Sequence, residues 1–232
     1  IRLFLMIVLL FTGCRDSGSG VQYRSEILRV ESVYLMGSRD LAKRELLAHL
    51  QYLQENIPSF EYVTYSQNRG KGFALRTVIA KTQGDLIIYT DADYPYRMEN
   101  AWEMFRLLND ENYDVVLGVR DDHYYSQLPF LRKVFSLSLR TMNHVFFPSM
   151  FVKDTQSGLK GFNQKGKDVF LKTHINSFLF DMEFVVLASR RKDLRLAKIQ
   201  VHVRDGISFS QMSWKTIKQE LLSFQNIFSR SK

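Results

Sequence analysis

The sequence predicts an α/β protein in which a mostly parallel central sheet is flanked by helices. Apolar runs of strand length alternate with segments of helical periodicity, the order expected when helices connect parallel strands. The chain has 232 residues, of which 45% are hydrophobic and 13% aromatic, so it can bury a sizeable core. No proline- or glycine-rich linker divides it. We therefore expect one domain over residues 1–206, followed by a C-terminal helix over residues 207–232.

The first predicted elements alternate between strands and helices up to about residue 81. Leu46, Leu50 and Leu53 share one face of a helix over residues 41–55, which Pro58 ends. The predicted order is a strand within residues 1–11, a helix at 21–29, a strand at 30–36, the helix at 41–55, a strand at 62–65 and a helix from about 71 to 81.

The second half of the chain continues the alternation. Residues 85–90 and 114–118 are short apolar runs, which are typical of buried strands. Residues 131–147 have an aromatic-rich amphipathic pattern that predicts a long helix. The remaining predicted elements are helices at 99–109 and 178–189 and an alternating strand at 196–203.

Two interpretations of the N-terminal apolar run stay open. Residues 1–11 can be the buried first strand of a parallel sheet, followed by a polar turn rich in glycine and serine. They can also be a secretory signal that ends in a lipobox-like Phe-Thr-Gly-Cys, which would leave the chain lipid-anchored through Cys14. Because Cys14 is the only cysteine, an internal disulfide and cysteine-rich zinc sites are excluded.

The positive charge of the chain is concentrated at its C-terminal end. The formal net charge is +8, and residues 190–232 contain ten Lys or Arg against three acidic residues. Within this tail, one helical stripe is apolar and aromatic, with the lysines outside it. This face can lie in a membrane interface or pack on the domain. The stripe consists of Trp214, Ile217, Leu221, Phe224 and Phe228. No motif indicates nucleic-acid binding, so we expect no nucleic-acid partner.

Two aspartates follow the apolar strand predicted at residues 85–90. Side chains two apart in an extended backbone point the same way, so Asp91 and Asp93 can face one ion at the C-terminal edge of the sheet. Two carboxylates suit Mg²⁺ or Mn²⁺, whose open positions can take diphosphate oxygens. The alternative is that both aspartates only cap the following turn and helix.

A loop with two glycines precedes this strand and opens a helix. Gly70 and Gly72 allow the backbone to approach a ligand closely, and Lys71 adds a positive charge. The N-terminus of the following helix also favours an anion. An ordinary helix-entry loop is the alternative interpretation.

Five segments in order carry a resemblance to a known family. They read Asn-x-Gly-Lys-Gly-x-Ala at 68–74, Asp-Ala-Asp at 91–93, Val-Val-Leu-Gly-Val-Arg at 115–120, Asp-Thr-Gln-Ser-Gly-Leu-Lys-Gly-Phe at 154–162 and Phe-Asp-Met-Glu at 180–183. These segments resemble the family 2 glycosyltransferases, and they are most similar to the branch of dolichyl-phosphate glucose and mannose synthases. Their order and spacing cover residues 62–210, which makes the set more specific than any single motif.

The resemblance implies a GT-A fold and an inverting transfer from a nucleoside-diphosphate sugar, with Mg²⁺ or Mn²⁺ as cofactor. It also implies roles for particular residues, by their position in the motifs. Asp91 and Asp93 would hold the metal, and Asn68, Gly70 and Lys71 would bind the nucleotide-sugar together with these two aspartates. Arg120 would lie near the donor phosphates and Arg132 near an acceptor phosphate. Asp154, Gln156 and Lys160 would lie beside the acceptor, and Asp181 and Glu183 match the late acidic motif.

The chain also departs from the family pattern, which leaves the function open. Leu35 and Met36 stand where the family carries an acidic pair, so we expect an N-terminal part that is truncated or degenerate. The leading expectation is transfer to a polyprenyl (dolichyl-like) phosphate at the cytoplasmic face of a membrane, with the domain bound peripherally through its C-terminal helix. Transfer to a glycan hydroxyl would need a general base such as Asp154, whereas a lipid phosphate is already ionised. A catalytically silent binding protein is the third possibility.

Overall fold

The structure is a computed structural model that describes residues 6–11, 51–52, 55–56, 69–91, 94–121, 124–125, 128–204 and 214–230. The chain divides into two compact units. One consists of Ile1–Gly13 and Asn68–Lys232, and the other of Cys14–Gln67. In the second unit the described residues are helical, and Asn56 donates to the backbone oxygen of Tyr52 at 2.7 Å. The elements predicted at 21–29, 30–36 and 62–65 lie outside the described residues, as does Cys14.

The first unit contains a five-stranded mixed sheet in the order β1-β2-β4-β3-β5. Strands β2, β3 and β5 run in one direction, while β1 and β4 run in the other. The α/β class and the flanked sheet are confirmed, but the sheet is mixed rather than mostly parallel. The strands are β1 (Met6–Phe11), β2 (Leu86–Asp91), β3 (Val115–Arg120), β4 (Lys160–Asn163) and β5 (Leu196–Val201).

The N-terminal run is a strand in the structure, but its direction differs from the prediction. Strand β1 pairs antiparallel with β2, with Met6 opposite Asp91 and Phe11 opposite Leu86. A continuous apolar run indicates burial on both faces of a sheet and contains no information on strand direction. The prediction of a parallel first strand is therefore wrong in direction.

Helices cover both faces of the sheet because successive residues of its strands are apolar and point to opposite faces. Ile87 and Tyr89 face one core, which includes Phe162 of β4 and aromatic residues of three helices, and Ile88 faces a second core with Val116. The helices are α1 (Lys71–Lys81), α2 (Met98–Asn109), α3 (Phe130–Phe146), α4 (Gln164–Phe170), α5 (Phe180–Arg190) and α6 (Trp214–Arg230).

Helix α6 packs on the domain with the face that the sequence left open to membrane binding. Phe224 and Ile227 are buried in the first core, and the Phe224 and Phe228 rings contact Phe146 and Phe147 edge to face. The packing alternative therefore holds for Phe224 and Phe228, whereas Leu221 of the same stripe is 48% exposed, and a membrane-binding face on α6 is not supported. The domain limits 1–206 and 207–232 stay a prediction. Among the helices in the described parts of the chain, none is long and apolar enough to cross a membrane.

A buried acidic residue of α6 also holds the N-terminus of α5. The carboxylate of Glu220 accepts hydrogen bonds from the backbone N–H groups of Phe178 (3.3 Å) and Leu179 (3.0 Å) and from the Ser177 hydroxyl (3.0 Å). Burial raises the pKa of Glu220, and these three donors work against that rise. The backbone N–H groups of Leu179, the N-cap of α5, and of Phe178 before it are thus paired by a residue of a different helix.

Candidate active site

Charged side chains from five elements meet at one edge of the sheet. Strands β2 and β3 end there with Asp91 and Arg120, and β4 begins there with Lys160, which lies opposite Tyr89 and Leu117. Helices α1 and α5 begin close to the same edge with Lys71 and Asp181 in their first turns. The carboxyl ends of strands are where open α/β sheets bind ligands.

Asp91 is an ionised carboxylate held by Lys71. Its Oδ1 lies 2.5 Å from Lys71 Nζ, and the Asp91 side chain is 36% exposed while that of Lys71 is 7% exposed. Burial tends to raise the pKa of Asp91, but the charge and hydrogen bond of Lys71, with the charges of Lys160 and Arg132, lower it below its usual value. Asp91 is therefore an anionic group with three cations close to it.

A buried network lies directly beneath this pair. Lys160 is fully buried, and its Nζ contacts Asp181 Oδ1 at 2.7 Å and also donates to the Ser157 carbonyl. The Tyr89 hydroxyl donates to the same Asp181 oxygen at 2.7 Å, and Lys71 Nζ is 3.9 Å from the other oxygen. Burial lowers the pKa of Lys160, and the neighbouring Asp181 partly restores it. Lys160 is thus an internal support of the site rather than a surface group.

Arg120 and Asp154 form a second buried ion pair. The guanidinium Nε donates to both carboxylate oxygens, at 3.2 and 2.9 Å, Nη2 contacts Oδ1, and the Arg120 backbone N–H donates to Oδ2 at 2.9 Å. Burial raises the pKa of Asp154, but the Arg120 charge and hydrogen bonds lower it below its usual value. On the other side, Arg120 donates to the Tyr124 hydroxyl at 3.0 Å and lies over the Tyr124 ring. Asp154 therefore stays deprotonated with its oxygens occupied.

Gly158 and Tyr96 fix the segment that faces Asp91. A Cβ built on Gly158 would lie well inside van der Waals contact with Asp91 Oδ2, so only glycine fits here without a shift. The Tyr96 hydroxyl accepts a hydrogen bond from the Gly158 backbone N–H at 3.1 Å and lies 3.3 Å from Ser157 Oγ. Tyr94, between Asp91 and Tyr96, has a positive φ of 39°, which is uncommon for a bulky residue.

The loop with two glycines packs on protein backbone in the structure. Gly70 has a φ of 92°, and Gly72 donates to the Asn176 carbonyl at 3.0 Å. A Cβ on Gly70 would overlap that same carbonyl. These contacts with a neighbouring loop account for the glycines without a ligand, and nucleotide-sugar binding by Gly70 stays a prediction.

Arg76 and Glu183 hold that neighbouring loop from both sides. Arg76 donates to Ile175 O at 2.8 Å and to Thr173 Oγ1 at 3.2 Å. Glu183 Oε2 accepts from the backbone N–H groups of His174 and Ile175 at 2.8 and 2.7 Å. Glu183 of the late acidic motif thus binds backbone, whereas Asp181 of the same motif joins the charged cluster.

The structure brings some of the predicted site residues together and leaves others apart or outside the described residues. Lys71, Asp91, Lys160 and Arg132 form one electrostatic group, and Arg120 pairs with Asp154. Gln156 is half-buried, and its side-chain amide donates to Thr155 Oγ1 at 3.3 Å. Asn68 and Asp93 lie outside the described residues. Sequence reasoning missed Tyr89, Tyr96 and Gly158; for Tyr89 the signal was its place two residues before Asp91, on the same face of the strand.

The donor set at this edge fits a hard divalent cation only in part. Asp91 is ionised, partly exposed and at the strand end where a ligand would approach, which suits Mg²⁺ or Mn²⁺. Within the described ranges, no group of three or more His, Cys, Asp or Glu side chains forms a ready cage. A cation held by Asp91, with Asp93 as the second carboxylate, would need oxygens from the bound ligand to complete its coordination.

Comparison of the sequence with models of protein families identifies the family of this chain. The model for glycosyl transferase family 2 matches residues 37–166, more than half of the chain. The chain belongs to glycosyl transferase family 2. The predicted family is therefore confirmed, and four of the five segments that suggested it, from residue 68 to residue 162, lie inside the match.

Curated relatives of this family 2 chain share the name dolichyl-phosphate beta-glucosyltransferase. The protein of Trichomonas vaginalis is 27% identical over 170 residues, which cover 71% of this chain and 51% of that protein. The Saccharomyces cerevisiae protein is 26% identical over 65% of this chain and 50% of its own length. The Homo sapiens protein is also 26% identical, over 80% of this chain and 60% of its own length. The chain thus spans half to three fifths of these relatives.

Solved structures show the same fold. Glucosyl-3-phosphoglycerate synthase from Mycobacterium tuberculosis, in complex with phosphoglyceric acid, superposes with a TM-score of 0.56 at 18% identity, over 84% of this chain and 66% of that chain. Mannosyl-3-phosphoglycerate synthase from Rubrobacter xylanophilus gives a TM-score of 0.53 at 15% identity, over 72% of this chain and 52% of that chain. The predicted GT-A fold is confirmed.

Proposed function

We propose that this chain is the catalytic part of an inverting hexosyltransferase that moves a sugar from a nucleoside-diphosphate sugar to a polyprenyl phosphate at a membrane surface. The family match and the shared description of the curated relatives support transfer to a dolichyl-type phosphate. The mycobacterial neighbour has been crystallised with Mn²⁺ and uridine diphosphate, which supports a metal-bound nucleotide donor.

The state of Asp154 is the observation that favours a phosphate acceptor. A sugar hydroxyl must lose its proton during transfer, so it needs a carboxylate that is free to accept one. Asp154 is buried, holds Arg120 with both oxygens and has a lowered pKa, which makes it a poor base. A phosphate monoester is ionised at neutral pH and attacks without such help. The chemistry of this site therefore fits a lipid phosphate better than a glycan hydroxyl.

The charges around Asp91 fit the other half of the reaction. Charge grows on the diphosphate leaving group as the sugar is transferred, and fixed cations at that place lower the barrier. Lys71 and Arg132 supply such charges, and both lie close enough to Asp91 to influence its pKa. Mg²⁺ or Mn²⁺ bound by Asp91 and Asp93 would supply further neutralisation of the leaving group.

The direct test is transfer of radiolabelled sugar by the 232-residue chain, with a panel of nucleotide-sugars, Mn²⁺ and either a polyprenyl phosphate or a glycan acceptor. We expect label in the organic-extractable lipid for one donor. Label found only in water-soluble product would contradict the lipid acceptor. Absence of donor binding in calorimetric titration would favour a silent binding protein.

Gly158→Ala is expected to weaken donor binding by pushing Asp91 away from Lys71. The added methyl group meets Asp91 Oδ2, so the carboxylate must rotate and lose its 2.5 Å contact. Loss of one charge-assisted contact predicts a donor Kd raised roughly tenfold. The matched control is Gly161→Ala, whose methyl group meets the side chains of Met104 and Leu108 rather than Asp91. Equal donor Kd values by titration for the two variants would show that the Asp91 position is unimportant.

A further inference from the structure

Helix α3 exposes an apolar stripe to solvent. Phe130 is 77% exposed, Val134 46%, Leu137 40% and Val145 64%, and their spacing places them on one face of the helix. The opposite face carries Leu139, which is buried. A surface helix of a globular domain normally directs polar residues to water, and exposed apolar patches mark interaction sites. The stripe therefore calls for a partner.

The charges of α3 indicate the chemistry of that partner. Lys133, Arg140 and His144 follow one another at helical spacing and border the apolar stripe along one side. The helix contains no aspartate or glutamate among its 17 residues. An apolar face bordered by basic residues is the pattern of helices that lie in the interface of an anionic lipid bilayer.

The same helix begins at the charged edge of the sheet. Arg132, in its first turn, lies close enough to Asp91 to influence the ionisation of that carboxylate. The exposed stripe starts at Phe130 and extends to Val145, over about 22 Å. Because Arg132 is two positions from Phe130, it lies on the opposite side of the helix, so a lipid surface in contact with the stripe would lie alongside the charged edge with α3 between them.

We propose that α3 docks this domain on an anionic lipid bilayer, with Phe130, Val134, Leu137 and Val145 in the interface and the neighbouring basic side chains over the headgroups. The proposal deepens the proposed function, on which it rests, because it names the surface from which a lipid-phosphate acceptor enters. A second copy of the chain is a poorer occupant, since two such helices face to face would bring like charges together. Of the α6 stripe first considered for this role, Phe224 is buried in the first core and Phe228 packs against it.

The test is co-sedimentation of the full chain with large vesicles, measured without donor or acceptor. We expect binding to vesicles of phosphatidylcholine with phosphatidylglycerol, weaker binding to phosphatidylcholine alone, and a decrease with salt. Val134→Asp combined with Leu137→Asp should lower the partition coefficient about tenfold or more, because two apolar contacts become charged. Phe130→Ser combined with Val145→Ser, at the most exposed positions, gives the same test with little effect on packing.

Trp102→Asp on α2 is the matched control, since it also removes an exposed aromatic or aliphatic side chain but lies outside α3. Its partition coefficient should equal that of the unmodified chain. Equal binding by the α3 variants would overturn the proposal, as would a concentration-dependent dimer that both α3 variants abolish without any vesicle binding. If vesicles bind but no sugar is transferred, the proposed function fails while this inference stands; transfer without vesicle binding gives the reverse result.

Discussion

Asp91→Asn is expected to lower kcat/KM for sugar transfer at least about a hundredfold, the size of effect seen when one preorganised electrostatic group is removed from a transition state. The amide keeps the shape of the side chain but removes the charge that pairs with Lys71 and attracts a cation. Radiolabel transfer at several Mn²⁺ concentrations measures the change. We expect a loss of rate that added Mn²⁺ restores only in part.

Asp85→Asn is the matched control for this substitution. Asp85 is exposed and lies immediately before β2, at the opposite end of the strand that ends with Asp91. The same change of charge at that end should leave both the rate and the Mn²⁺ dependence unaltered. Full activity of Asp91→Asn would mean that other groups hold the diphosphate, and the assignment of the site would then be wrong.

Asp154→Ala is expected to lower the free energy of unfolding by about 3–5 kcal/mol, because it leaves the Arg120 guanidinium buried without its partner. A domain of ordinary stability has about 5–15 kcal/mol in total, so the loss should be plain in urea titrations followed by circular dichroism. Replacing both residues with leucine should cost less than the single change, since no charge then remains buried. A loss below about 1 kcal/mol for Asp154→Ala would contradict the buried pair.

The same pair predicts the direction of a pH effect. The pKa of Asp154 is lower in the folded chain than its ordinary value of 3.8, so the unfolded chain binds this proton more readily. The stabilising contribution is fully present above about pH 3.8 and is lost as the pH falls through the folded-state pKa. In urea titrations between pH 6 and pH 3, the difference in unfolding free energy between the unmodified chain and Asp154→Asn should therefore shrink towards acid.

The periodic elements of the fold were predictable because burial leaves a pattern in the sequence. The strand predicted at 85–90 is β2 (Leu86–Asp91), and the helix predicted at 131–147 is α3 (Phe130–Phe146). Strand β4 was missed because four residues that include Gly161 give no alternation. Since β4 lies between β2 and β3 and runs antiparallel to both, this omission explains why the sheet was expected to be mostly parallel.

The site residues were predictable where a motif names them, and their contacts were not. The five segments identified Lys71, Asp91 and Asp154, but no sequence pattern shows that Asp154 is occupied by Arg120. Tyr96 was missed because its role is a hydrogen bond to Gly158, more than sixty positions away along the chain. Whether the apolar faces of α3 and α6 are exposed or buried depends on tertiary packing. The helical periodicity shows which residues share a face but not what that face contacts.

The hydrogen bonds of Glu220 have a practical consequence for anyone who shortens this protein. The turn that leads into Asp181 is anchored by a residue that comes some forty positions later, so the tail belongs to the machinery that shapes the charged edge. A fragment cut before residue 214 would keep every motif of the family and still lack this anchor. Inactivity of such a fragment would show that the Glu220 hydrogen bonds are missing and would say nothing about the chemistry of the site.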